Sequence, residues 1–180
     1  MKLFDLQDRV AIVTGGNGGI GLAMGQGMAQ AGAAVVVAAR DPVKGEAAVT
    51  ALESLGVRSA FIALDVRDEA SCVNLIETVV ADFGRVDVLV NNAGTNDRKQ
   101  PEEYALAEWQ AIIDTNLTSA FMLSQRVYPV MKNAGGGKII NIGSMMSIFG
   151  ASFTVPYASS KGGIVQMTKG MACAWAKDNI

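Results

Sequence analysis

Tyr157 and Lys161 stand four residues apart in the stretch Pro156-Tyr157-Ala158-Ser159-Ser160-Lys161. That is about one helical turn, so a phenol and an ammonium share one face of a helix. A free tyrosine ionises near pH 10, too high for ready proton exchange at neutrality. A neighbouring positive charge that favours the phenolate is what an acid/base tyrosine needs. Lysines also pass aromatic rings on helices merely to reach water, so the pair alone is a weak signal. It gains weight from Ser144, at the end of the apolar run Lys138-Ile139-Ile140-Asn141-Ile142-Gly143. A strand tip there aims a hydroxyl toward the same point. The ends of two adjacent elements then converge, placing a second hydroxyl near the candidate acid/base tyrosine.

A second signal lies near the start. Val10-Ala11-Ile12-Val13 reads as a buried strand that runs straight into Thr14-Gly15-Gly16-Asn17-Gly18-Gly19-Ile20-Gly21, followed by a helix-like segment from Leu22 to Ala31. Glycines at such a turn let the backbone bend sharply and approach a pyrophosphate, which the N–H groups and positive end of the helix then hold. The implied ligand is a dinucleotide. Two registers fit: Gly16, Gly18 and Gly21 match G-x-G-x-x-G, whereas Gly15, Gly19 and Gly21 match T-G-x-x-x-G-x-G. A glycine cluster in isolation is also an ordinary flexible turn.

The elements that must position these residues alternate regularly. Val10 to Val13, Val35 to Ala38, Ala60 to Leu64, Val86 to Val90 and Lys138 to Ile142 read as five strands of nearly unbroken hydrophobicity. The segments Leu22–Ala31, Pro42–Leu55, Glu69–Phe83 and Glu108–Met131 read as crossover helices. Such runs suit a parallel sheet covered on both faces, which predicts an α/β fold with a doubly wound, Rossmann-like sheet. Ligands of these sheets bind beyond the carboxyl ends of the strands, where Gly15, Asp65, Asn92 and Ser144 all fall.

Composition narrows the chemistry. The 180 residues suit one domain, 50% of them hydrophobic and 18% charged, with a net charge of −2. Scattered Lys and Arg give no footprint for nucleic acid or an anionic membrane, so a small-molecule partner is expected. No histidine occurs, which excludes His-based triads and argues against a zinc site; no metal ligand set is expected. Cys72 and Cys173 lie far apart in helix-like apolar segments and read as buried thiols of a reducing compartment. The N-terminal Met1-Lys2-Leu3-Phe4-Asp5 lacks the apolar core of a signal peptide, and no stretch is long enough to span a bilayer. A cytoplasmic location is therefore expected.

With Thr14 through Gly21, Asn91-Asn92-Ala93-Gly94, Ser144 and Tyr157-x-x-x-Lys161 in this order, the chain resembles the classical short-chain dehydrogenase/reductase family from about Leu6 onward. The resemblance implies a catalytic set of Asn116, Ser144, Tyr157 and Lys161. It implies a cofactor held by Gly15, Asn17, Gly19, Ile20, Gly21, Arg40, Asp65, Val66, Asn92, Ala93, Gly94, Tyr157 and Lys161. In that reading a secondary alcohol and a ketone are interconverted, Ser144 and Tyr157 hold the reacting oxygen, and Lys161 also holds the nicotinamide ribose. Asn116 matches the family asparagine that holds a water linking the lysine to solvent; from the residues alone it reads as a helix surface position. The family's helices that carry Asn116 and Lys161 pack between subunits, which implies a homo-oligomer.

Several readings stay open at this level. Arg40 sits where an acidic residue would bind the ribose of NAD, and an arginine fork suits a 2′-phosphate, so NADP comes first and NAD second. Arg40 could instead stack on adenine or pair with Asp41, whose carboxylate could equally hold the ribose hydroxyls if the loop register shifts by one or two residues. Asp65 matches the family aspartate at the adenine edge; as a helix cap it is less well placed than Asp68. The N-terminal Met1 to Leu6 and Arg98 after Gly94 are similar to the sugar-acid branch, with Arg98 as a carboxylate anchor, although an Arg98-Lys99 pair in a polar loop is often only solvated. A 3-oxoacyl carrier-protein reductase is the alternative. The stripe Ile164, Val165, Thr168, Ala172 and Trp175 is either core or a subunit contact. The family continues past the Lys161 helix into further strands and a substrate lid. Their absence here suggests a truncated domain with an unpaired sheet edge, and a nucleotide-binding or interaction protein without catalysis is the rival of another class.

Overall fold

The computed structural model describes residues 4–180; Met1, Lys2 and Leu3, which open the segment similar to the sugar-acid branch, lie outside the described residues. Five parallel strands form one sheet, β1 (Val10–Thr14), β2 (Ala34–Ala39), β3 (Ser59–Ala63), β4 (Val88–Asn91) and β5 (Lys138–Asn141), in the order β3-β2-β1-β4-β5. The order reverses between β1 and β4, and this switch point opens a crevice at the carboxyl edge. The doubly wound α/β fold expected from the sequence is the one observed.

The buried strands explain their own composition. Ile12 stands opposite Val36 on one side and Leu89 on the other. Successive residues of a strand point to opposite faces. Val10, Ile12, Val36 and Leu89 accordingly pack with Leu75, Val79, Leu123 and Val127 on one face, and Val13, Val35, Val37 and Val90 pack with Ala29, Ala48 and Leu52 on the other. Both faces of β1 and β2 are apolar because helices cover both. At the edge strand β5 alternate residues are open, and Ile140 is 45% exposed.

The helices are α1 (Gly19–Gln30), α2 (Pro42–Glu53), α3 (Glu69–Phe83), α4 (Leu106–Ile113), α5 (Ser119–Asn133) and α6 (Val155–Trp175). Asp41 caps α2 by accepting the Lys44 N–H at 3.1 Å, with Pro42 in the first turn. Asp68 caps α3 by accepting the Ala70 N–H at 3.0 Å, and Gly84 ends it in the left-handed region. Those two signals place α3 where the sequence predicts it.

Three expectations need correction. The single helix predicted from Glu108 to Met131 is two helices joined by a π-helical turn over Asp114–Thr118. Hydrophobic periodicity does not register one extra residue per turn. That turn carries Asn116 inward, where it is 2% exposed and not on the surface. Cys72 is buried but Cys173 is exposed, so only the first is a core thiol; burial pushes the Cys72 thiol up to about 11. In the α6 stripe Ile164 is buried, Thr168 hydrogen-bonds Asn141, and Trp175 stacks on Tyr128 with centroids 4.6 Å apart. Within the chain that stripe is mostly internal packing, and Ala172 alone is open.

Candidate active site

The glycine turn settles into one register. Gly15 and Gly19 take φ of +63° and +52°, the left-handed region that favours glycine, whereas Gly18 is fully extended at 173°. A Cβ at Gly21 would collide with the Gly15 carbonyl oxygen and lie 2.6 Å from Asn92 Nδ2. The T-G-x-x-x-G-x-G pattern therefore governs. Thr14 Oγ1 accepts the N–H groups of Asn92 and Ala93, each at 3.0 Å, and Asn92 Nδ2 donates to the Thr14 carbonyl at 2.9 Å. These bonds tie the tips of β1 and β4 together across the switch point. No side chain caps the N-terminus of α1. Its N–H groups are thus left for an anion, and the turn has the room and the donors that a dinucleotide pyrophosphate requires.

A cleft of about 530 Å³ opens beside this turn. Among the residues expected to bind cofactor, Gly15, Asn17, Arg40, Asp65, Val66, Asn92, Ala93 and Gly94 line it; Gly19, Ile20 and Gly21 lie at the start of α1. Asp41 and Arg67 line it as well. Their charges are not equivalent. Asp41 is engaged by the cap and lies 4.0 Å from Lys44. Asp65 receives Arg67 in a fork, Nε at 3.1 Å and Nη2 at 2.8 Å, besides the Arg67 N–H at 3.0 Å. Hydrogen bonds from Arg67, side chain first and then backbone, hold the Asp65 carboxyl down at about 2. Arg40 is exposed and makes no ion pair among the described residues, so its guanidinium is the free cation of this wall.

Ser144, Tyr157 and Lys161 do not line that cleft. They lie in a corner where the segment after β5 faces α6, with Ser144 joined through Ser147 to Lys161 and Lys161 beside the Tyr157 ring. Lys161 is 5% exposed; its Nζ donates to the Ile142 carbonyl at 2.6 Å and lies 5.8 Å from the Tyr157 ring centroid. Burial lowers the pKa of this ammonium. Ser144 starts a 3-10 turn, Met145–Ser147, and its Oγ accepts the Met146 N–H at 3.1 Å. One Ser144 lone pair is thereby used and its proton is left to donate outward.

Hydrogen bonds join corner and cleft. The Asn116 side chain pairs with the main chain of Thr95, accepting its N–H at 2.7 Å and donating to its carbonyl at 2.8 Å. Asn116 Nδ2 also reaches Ser160 Oγ at 3.1 Å, and Ser160 donates to the Tyr157 carbonyl at 2.7 Å. Thr95 lines the cleft. Deeper in, Asn91 Nδ2 donates to Asn141 Oδ1 at 2.8 Å and Asn141 Nδ2 donates to Thr168 Oγ1 at 2.9 Å, so the tips of β4 and β5 are bound to α6. Sequence reasoning missed Thr95, Ser160 and Asn141 because their roles arise from partners distant in the chain, and it missed Arg67 as well. Arg67, two residues after Asp65, had a local signal.

Arg98 lies apart, on the exposed loop after β4, with its guanidinium 5.6 Å from the Phe153 ring centroid. That loop is clamped to the segment before α6 by Thr154 Oγ1 donating to Asn96 Oδ1 at 2.9 Å and by the Lys99 N–H donating to the Phe153 carbonyl at 3.2 Å. Lys99 pairs with Glu108 and with Asp97, whereas Arg98 has no ion pair among the described residues.

A parallel sheet in this order, with a glycine turn at its switch point and a helix N-terminus above it, defines a dinucleotide-binding α/β protein. Residues 9–180 match the family model of the short chain dehydrogenases. The chain belongs to that family and is an oxidoreductase. It is 34% identical over 178 residues to gluconate 5-dehydrogenase of Gluconobacter oxydans, covering 99% of this chain and 70% of that protein. It is 37% identical over 182 residues to 2-dehydro-3-deoxy-D-gluconate 5-dehydrogenase of Escherichia coli, covering 100% of this chain and 71% of that protein. Among solved structures, a gluconate 5-dehydrogenase from Burkholderia cenocepacia in complex with NADP and tartrate superposes with a TM-score of 0.93 at 36% identity, over 98% of this chain and 69% of that one.

Proposed function

We propose that the protein interconverts a secondary alcohol and a ketone on a sugar acid, with NADP as cofactor and Tyr157 as the proton carrier. The observation that carries this reading is the corner itself: a half-buried tyrosine, a desolvated lysine one turn along and a serine with a free proton, bonded through Asn116 to the lip of the nucleotide cleft. A nicotinamide dinucleotide, when bound, supplies or accepts the hydride. Gly15, Asn17, Gly19, Ile20 and Gly21 would cradle its pyrophosphate, Asp65 and Val66 its adenine, and Asn92, Ala93 and Gly94 the floor beneath it.

Ser144 donates a hydrogen bond to the carbonyl oxygen of the substrate and stabilises the charge that develops there. Tyr157 gives its proton to that oxygen in reduction and takes it back in oxidation. Lys161 places a positive charge beside the phenol and would reach the nicotinamide ribose. NADP is favoured over NAD because Arg40 is unpaired among the described residues while Asp41, the carboxylate that would hold ribose hydroxyls, is engaged as a helix cap. A sugar acid is supported by the activities named for the relatives and by the unpaired Arg98, a guanidinium free to fork onto a carboxylate.

The test is a screen of gluconate, other sugar acids and acyl ketones with both dinucleotides, followed by Tyr157→Phe on the best substrate. Loss of the proton carrier should lower kcat by about 10²- to 10⁴-fold while the dinucleotide Kd stays within about twofold. Undiminished turnover by the variant would overturn the assignment. Preference for acyl ketones would keep the chemistry and replace the sugar acid by the 3-oxoacyl alternative.

A further inference from the structure

We infer that Ser147 is a positioning residue, whose single hydroxyl locks the main chain of Ser144 to the main chain of Lys161 and so holds the Ser144 hydroxyl in register with the Tyr157–Lys161 face of α6. This inference rests on the proposed roles of Ser144, Tyr157 and Lys161 and adds a residue to which none of the family motifs assigns a task.

The geometry is a node. Ser147 Oγ accepts the Ser144 N–H at 3.1 Å and donates to the Lys161 carbonyl at 2.8 Å. A serine hydroxyl has one proton and two lone pairs, so this atom uses its only donor on the helix and an acceptor site on the loop. At its other end the same loop is held by Lys161 Nζ on the Ile142 carbonyl at 2.6 Å. The segment from Ile142 to Ser147 is thereby attached to one lysine twice, by side chain and by backbone. Two attachments fix the direction in which Ser144 points; one alone lets the segment swing about it.

Packing does not do this work. Met145 and Ile148, which flank the node, are 65% and 80% exposed, and Phe149 beyond them is 55% exposed. Ile142 packs on the core and Met146 is partly covered, but the side chains around Ser147 itself gain little from burial, so hydrogen bonds carry most of the hold on this turn. Ser144 Oγ is in turn oriented by the Met146 N–H at 3.1 Å, inside the turn that Ser147 closes. Backbone bonds from the Ser147 N–H to the Ser144 carbonyl at 3.0 Å and from the Phe149 N–H to the Met145 carbonyl at 2.9 Å keep the turn closed. Releasing the Ser147 hydroxyl therefore unties the turn from α6 and lets it shift as a unit with the Ser144 proton it aims. A displacement of about 1 Å at a reacting group costs on the order of 100-fold in rate.

Two measurements on the full chain test the node. By NMR, the Ser144 amide should be protected from hydrogen exchange in the wild type and lose tenfold or more of that protection in Ser147→Ala, with the α6 amides unchanged. An unprotected Ser144 amide in the wild type overturns the inference whatever the activity. In kinetics with the best substrate of the screen, Ser147→Ala should lower kcat by about 10- to 100-fold at an unchanged dinucleotide Kd, and Ser147→Thr, which keeps the hydroxyl, should recover most of it. In a Ser144→Ala background the same Ser147→Ala change should cost less than threefold, because a residue acting through Ser144 has nothing left to position. Full additivity would show a structural role and sink the inference while leaving the proposed function intact. A Ser144→Ala enzyme as fast as wild type, or a wild type that turns over nothing, would overturn the proposed function and the positioning role with it.

Discussion

The nucleotide cleft and the corner that carries Tyr157 share one edge of the sheet and keep their shapes by different means. At the cleft the turn takes its shape mostly from local backbone, with Gly15 and Gly19 left-handed and Gly21 leaving room for the Gly15 carbonyl, and one remote tie, Thr14 to Asn92 and Ala93, anchors it to β4. Its charges are settled between near neighbours, Asp65 with Arg67 and Asp41 with Lys44. In the corner the bonds that join the pieces together span elements remote in sequence, Asn116 to Thr95 and Ser160, Lys161 to Ile142, Ser147 to Lys161. Only short bonds within the Ser144 turn and from Ser160 to Tyr157 are local. Damage to a local turn should stay local, whereas damage to the web should spread and be non-additive.

The largest expected effect that separates the two regions comes from Gly21→Ala. A methyl group driven against the Gly15 carbonyl and Asn92 carries an overpacking cost of about 1–3 kcal/mol. Dinucleotide affinity, measured by fluorescence titration, should fall on the order of 10- to 100-fold. The exchange protection of amides in the β5–α6 corner should not change. A loss of protection there would show that the cleft turn and the corner form one unit, and the contrast would break.

A smaller effect sharpens the picture within the cleft. Arg40→Gln removes a charged donor from a side chain that has no other ion-pair partner among the described residues, and a charge-assisted bond is worth about 1.5 kcal/mol at the low end. The Kd for NADP should therefore rise about tenfold while that for NAD stays within about twofold. An equal change for both dinucleotides would assign Arg40 to adenine stacking, the other role open to it.

The smallest effect is a pH dependence. Arg67 holds the folded-state Asp65 carboxyl at about 2, below its ordinary 3.8. A depressed carboxylate stabilises the fold in full above its unfolded value, and the contribution disappears as pH falls through the folded one. The side chains are 47% and 36% exposed, so the energy is that of a screened surface pair and small. The Asp65 carboxyl should titrate by NMR near 2 in the wild type and move up toward 3.8 in Arg67→Ala, with little change in melting temperature above pH 5. A wild-type midpoint already at the ordinary value would mean the fork does not persist in solution.

Legibility followed the range of the interactions. The strand cores of β1 and β2 and the limits of α3 could be read directly, because apolar runs, an Asp cap and a terminal Gly all act within a few residues. The glycine turn was legible as a turn but not in its register, since two patterns shared Gly21 and only the backbone angles separate them. Asn116 was found by resemblance alone; a π-helical turn is invisible to a 3.6-residue period, so its inward side chain could not be foreseen. Cys173 was misplaced because helical amphipathicity says which face a residue is on and not whether that face is covered.

From the order of its residues alone this chain already specified a parallel sheet, a dinucleotide turn and a tyrosine with a lysine one turn along, since hydrophobic runs, glycine freedom and helical spacing are short-range properties. Which glycine register operates, how Asn116 comes to face Thr95 and Ser160, and how Ser144 is bonded through Ser147 to Lys161 were decided only when the strands and helices packed. Those outcomes depend on which donor meets which acceptor across the fold, and many partners compatible with the same sequence compete until packing selects one.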